Sequence, residues 1–186
     1  MRNTILAVIM ALIPCMNLQA FELLGVRWNT TVYWRVQDDA PAFVRESVLH
    51  SIEQYTAVSE IKFEEVCSGE NLLIRYEKDL VPFDYLGVTG FTANSDGFIT
   101  KATIIINANK IYAETLKKRQ LRQYKRFRIY HYYLKTLMLH EMGHAVGVNH
   151  NELPESIMSP SIPSGIFKKF SADDIIGIQA LYGSKK

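Results

Sequence analysis

The stretch HEMGHAVGVNH, residues 140–150, gathers three of the chain's five histidines and one glutamate into a single run. His140 and His144 are four residues apart, so on a helix they project from one face, a turn from each other, as two ligands of one zinc ion must. Glu141 stands one residue on, near the same edge, placed to reach a metal-bound water without being a ligand itself. A catalytic zinc site takes three protein ligands and keeps one position open, so the third ligand has to arrive from another direction. Gly147 supplies that turn: a residue free to take positive φ can end the helix and let His150 swing back toward the same ion. The chemistry such a set performs is hydrolysis, with zinc activating a water while Glu141 takes the water's proton and passes it to the leaving group. The full His-Glu-x-x-His-x-x-Gly-x-x-His spacing arises by accident in well under about one chain in ten thousand, so two surface histidines on an ordinary helix explain it poorly.

The elements that must hold these residues are legible from periodicity. The chain has 186 residues, 48% of them hydrophobic and 22% charged, enough for one sizeable core and one domain. Thr31 to Val36, Ile61 to Val66, Asn71 to Tyr76 and Thr103 to Asn107 read as strands, the last two as strands buried on both faces. The glycine-rich stretch between the last two suggests loops around one short edge strand. Val44, Val48, Ile52 and Tyr55 recur at helical spacing behind Asp39 and Pro41, with His50 off that stripe and expected in solvent. A second helix carries Leu134, Leu137 and Met138 into the histidine motif. A third starts at Ser171, with Asp174 completing a capping pattern, and closes at Gly183.

The ends and the charge pattern bear on where the chain works. Arg2, the apolar run Ile5 to Ile13 and the small residue Ala20 have the layout of a secretory signal peptide, so residues 1–20 are expected to be removed, leaving 21–186 as the domain. The expected location is then secreted, periplasmic or extracellular; a lipoprotein anchored at Cys15 is disfavoured by Pro14 before it. Cleavage leaves Cys67 without an intramolecular partner, expected as a small buried hydrophobe. No apolar run is long enough to cross a membrane. A net charge of +2 argues against nucleic acid as a partner. Residues 110–128 are nevertheless basic, and Lys117, Lys118 and Arg119 could dock on an anionic surface or glycan, although a solvated face is the plainer reading.

The histidine motif, Met158 in SIMSP eight residues beyond His150, and FSADDIIGIQALYG at 170–183 together resemble the metzincin metallopeptidases, and within them the matrixins. The resemblance implies an α+β metzincin fold: a twisted, mixed, mostly parallel five-stranded sheet with an antiparallel edge strand, three helices and an active-site cleft. It implies a monomeric zinc endopeptidase acting on protein or peptide. His140, His144 and His150 are then the metal ligands, Glu141 the catalytic base and Met158 the floor of the site. Substrate would lie along an edge strand at Gly90, Phe91, Thr92, Ala93 and Asn94, with Thr136 and Pro160 at a pocket that accepts medium or large apolar side chains. Asp173 would pair with a freed N-terminal ammonium, that of Phe21, while Asp174 bonds near the methionine turn; helix capping is the alternative for both.

The chain departs from matrixins in several places. The stretch between residues 87 and 110 has no histidine, so a second zinc is not expected, and calcium is left with Asp84 and Asp96 as candidate ligands. Asn151 and Ser159 are not the commonest choices at their positions. No cysteine latch of the Pro-Arg-Cys-Gly type is seen, so control is expected from export, an inhibitor or substrate access. The rival function is a catalytically weak, zinc-stabilised binding module docking through its basic 110–128 segment. Retention of Glu141, which a structural zinc does not need, argues against it.

Overall fold

A computed structural model describes residues 20–78, 85–110, 123–161 and 167–185. Residues 1–19 of the expected signal segment, Cys15 among them, lie outside these, as do Asp84 and Lys117, Lys118 and Arg119 of the basic run. Five strands form one sheet: β1 (Val32–Val36), β2 (Phe63–Glu65), β3 (Leu72–Glu77), β4 (Gly87–Ala93) and β5 (Ile99–Asn107), in the order β2-β1-β3-β5-β4. β1 runs parallel to β2 and β3, β3 parallel to β5, and β4 antiparallel to β5 with an irregularity at Thr92/Ala93. Among the described residues the helices are α1 (Ala42–Val58), α2 (Gln123–Ala145) and α3 (Ala172–Tyr182), with a helical turn at 108–110. The mixed, mostly parallel sheet with an antiparallel edge strand is the architecture expected.

Alternation along the strands sets the two faces of the sheet. Val32 and Trp34, Leu72 and Ile74, and Ala102, Ile104 and Ile106 all point into one core with Val44 and Val48 of α1 and Leu134, Leu137 and Met138 of α2. Each such Val, Leu, Ile or Met side chain, taken fully out of water, contributes about 1.5–3 kcal/mol before entropy is counted. The opposite face is wetter: Arg75, Thr100 and Lys101 are exposed. β3 and β5 are therefore not buried on both faces, because the described helices pack against one side of the sheet only. Two other expectations are corrected. Cys67 is exposed, since β2 is a three-residue edge strand that ends before it. His50 is half-buried, its ring 5.4 Å from that of Phe167.

Three side chains tie these layers to the helix that carries the histidines. The Tyr55 hydroxyl of α1 donates to Leu139 O at 3.0 Å, directly before His140. Trp28 Nε1 donates to Ala145 O at 2.8 Å, and the Tyr182 hydroxyl of α3 donates to Val146 O at 2.6 Å, at the helix end. Burial pushes both tyrosine hydroxyls above their ordinary range, so they stay protonated donors.

Candidate metal centre

Helix α2 ends at Ala145, and Gly147 follows with φ +97°, a conformation that side chains with a Cβ avoid. Two further constraints act there. Leu24 N donates to Gly147 O at 2.9 Å, and Val26 O lies where a Cβ of residue 147 would have to stand. Gly147→Ala is accordingly expected to cost about 2–3 kcal/mol of unfolding free energy, read from a denaturant titration. The turn brings His150 back over the helix. Its Nε2 lies 3.1 Å from His144 Nε2 and 3.2 Å from His140 Nε2.

Ring tautomers show what these contacts are. His140 Nδ1 donates to Ile157 O at 2.7 Å, and His144 Nδ1 donates to Val148 O at 3.0 Å. With Nδ1 carrying the proton, Nε2 of His140 and Nε2 of His144 each present a lone pair toward the point that His150 Nε2 also approaches. Tetrahedral zinc with bonds of about 2.0–2.1 Å holds its nitrogen ligands roughly 3.3 Å apart, close to the spacing seen. Burial, reinforced by the neighbouring His144, pushes His140 down to about 3, and burial pushes His144 down to about 4. His150 is lowered by burial as well. The neutral imidazoles a metal requires are thus the favoured form. Among the described residues, these three form the one group of His, Cys, Asp or Glu able to hold a metal ion. Asp96 sits exposed in the β4–β5 turn and belongs to no such group.

The floor is assembled from the far end of the chain. Met158 is buried beneath α2, its sulfur occupying the space a side chain at Gly143 would need. The turn around it hangs on Asp174, which is 1% exposed. Its carboxylate accepts from Ser156 Oγ at 2.5 Å and Ile157 N at 2.9 Å, and from Ser171 N at 2.7 Å and Ser171 Oγ at 2.8 Å. Asp174 therefore joins the methionine turn and also completes the capping box of α3, combining the two roles set out as alternatives. Asp173 accepts from Ala20 N at 3.2 Å and from Asn151 Nδ2 at 3.5 Å. The backbone nitrogen beside it is thus that of residue 20, one position before Phe21, whose ring instead packs on Gly177.

A cleft of about 600 Å³ opens over the histidines. Glu141, 4% exposed, lies in it, and burial raises its carboxyl to about 7 against the opposing hydrogen bond from Thr89. Pro160 lines the cleft, as do Leu137 from the apolar stripe of α2 and Leu24, Tyr85, Val88 and Lys110, which periodicity alone did not single out. Of the expected edge-strand residues, Gly90, Phe91, Thr92 and Ala93 lie on β4 and Asn94 in the turn after it, its Oδ1 accepting from Asp96 N and Phe98 N. The part of the strand region that lines the cleft is the preceding stretch, residues 85–89. Thr136 is fully buried and accepts from Lys168 N at 3.2 Å, so it anchors the segment beyond the methionine turn.

Residues 27–183 match the family described as Matrixin. Macrophage metalloelastase of Oryctolagus cuniculus is 27% identical over 163 residues, which is 82% of this chain and 32% of that protein. Interstitial collagenase of Sus scrofa is 29% identical over 167 residues, 84% of this chain and 33% of that protein. Matrilysin of Rattus norvegicus is 44% identical over a shorter stretch of 48 residues, 25% of this chain and 18% of that protein. The chain spans about a third of the length of the first two relatives. Because the match takes in the sheet, the helices and all three histidines, the chain belongs to the matrixins, a family of zinc metalloendopeptidases.

Proposed function

We propose that this chain is an exported zinc endopeptidase, with residues 1–20 as its signal segment and 21–186 as the catalytic domain. The observation that carries the reading is the convergence of three imidazole Nε2 atoms, two of them with tautomers set by backbone carbonyls, beside a buried carboxylate in one cleft. His140, His144 and His150 hold the ion, and Met158 supports them from below. The chemistry supplied by bound zinc is Lewis acidity toward a water and a carbonyl oxygen. Glu141 takes a proton from the attacking water at a carboxylate oxygen and delivers it to the leaving amide nitrogen.

Among the described residues β4 pairs with β5 alone, and an open edge of this kind would receive an extended peptide by backbone hydrogen bonding. Leu137, Val88 and Pro160 give the cleft an apolar lining, which suits a medium or large apolar side chain next to the cut. Export fits the family's generally extracellular setting, and among the described residues no helix is long and apolar enough to cross a membrane.

An unbiased peptide library read by mass spectrometry tests the reading. Cleavage is expected with zinc, is expected to fall to background after chelation, and is expected to return when zinc is restored. Zinc binding without any zinc-dependent cleavage would favour the binding-module reading instead.

A further inference from the structure

We propose that Thr89 is a positioning residue for the base, its hydroxyl fixing the Glu141 carboxylate against β4 in a gap that Gly87 keeps open. The inference rests on the endopeptidase reading and deepens it. Thr89 Oγ1 lies 2.7 Å from Glu141 Oε2 and 3.0 Å from Glu141 O. Gly87 is two residues earlier on the same strand, so both positions present the same face to α2. A Cβ at Gly87 would stand 2.7 Å from Glu141 Oε1, 3.0 Å from its Cδ and 3.1 Å from its Cγ. One strand therefore acts on the carboxylate from two positions, with a donor for one oxygen and a missing methyl for the other.

The division of labour between the two carboxylate oxygens follows. Thr89 donates to Oε2 of the ionised group, which leaves Oε1 to take the proton from water. Once Oε1 is protonated, the same hydroxyl can turn to Glu141 O without either residue moving. Valine keeps the branched shape at position 89 but has nothing to donate. A hydrogen bond to a charged group is worth about tenfold to a hundredfold in an equilibrium, and here that preference is one of orientation.

The test compares zinc-loaded wild type, Thr89→Val, Thr89→Ser and Gly87→Ala. Each is measured for kcat and KM on one peptide and for the 13C resonance of the Glu141 side-chain carboxyl, assigned by its loss in Glu141→Gln. Thr89→Val is expected to lower kcat about tenfold or more, with KM within about twofold, and to shift the Glu141 resonance. Thr89→Ser is expected to restore both. Gly87→Ala crowds the Glu141 carboxyl group and its Cγ, so it is expected to move the same resonance and lower kcat. A wild-type kcat with an unmoved resonance in Thr89→Val would overturn the proposal, as would a loss carried by KM or a serine variant no better than valine. A wild type that cleaves nothing would remove the endopeptidase reading, and the resonance would still decide whether Thr89 holds the carboxylate.

Discussion

Glu141→Ala is expected to lower kcat by about 10²–10⁴-fold while zinc content and KM hold. The carboxylate is 4% exposed, and burial alone moves its affinity for a proton toward neutrality, where a group can accept and return a proton with equal ease. His140 and His144 are otherwise engaged: their Nε2 lone pairs face the point where the three rings converge, and their Nδ1 protons are committed to Ile157 O and Val148 O. Burying an acid costs the fold while no metal is bound, so the metal-free stability is expected to be unchanged or slightly raised in the variant. Initial rates by mass spectrometry, zinc by elemental analysis and a thermal melt after chelation check these points. Turnover within tenfold of wild type would show that another group moves the proton.

The largest structural effect is expected at Asp174. Asp174→Ala leaves the Ile157 and Ser171 amides and the Ser156 and Ser171 hydroxyls without the oxygen atoms they donate to, all around a nearly inaccessible site. Losing buried bonds of this kind to a charged acceptor costs at least about 3 kcal/mol. For a domain of this size the thermal midpoint then falls by roughly 6–12 °C. Zinc affinity should fall too, by about 10–100-fold, because the turn that loosens carries Ile157 O, the acceptor that orients His140. Asp174→Asn keeps one acceptor oxygen and should lie between. Melts must be run at fixed free zinc, since bound metal raises the midpoint by itself. An unchanged midpoint would mean that packing around Met158 holds the turn alone.

The spacing of the three histidines was legible because it is local. His140 and His144 are fixed relative to each other by one helical turn, and Gly147 and Gly183 announce helix ends through a conformation other residues avoid. Ser171 and Asp174 mark a helix start in the same local way. What periodicity could not reach depends on which distant surfaces meet. Arg75 and Lys101 betray an exposed face of β3 and β5 only once the helices are seen to cover the other side. The hydrogen bond from Thr89 to Glu141 spans 52 positions and exists only because β4 crosses α2 at that register. The same crossing places residues 85–89 in the cleft lining, with Gly90 to Asn94 further along the strand and its turn.

Residues 22–28 form a strap along the end of α2 and its following loop. Leu24 N donates to Gly147 O, Asn149 N to Glu22 O and Trp28 Nε1 to Ala145 O, the last pair 117 positions apart. These residues leave the ribosome well before their partners, and contacts so distant in sequence close late. A chain still being made can form a helix bearing His140 and His144, but the loop carrying His150 has its docking surface only when strap and α3 are both present. Tight metal binding is therefore expected only once the last helix has been made, because α3 completes the surface on which the loop of His150 rests.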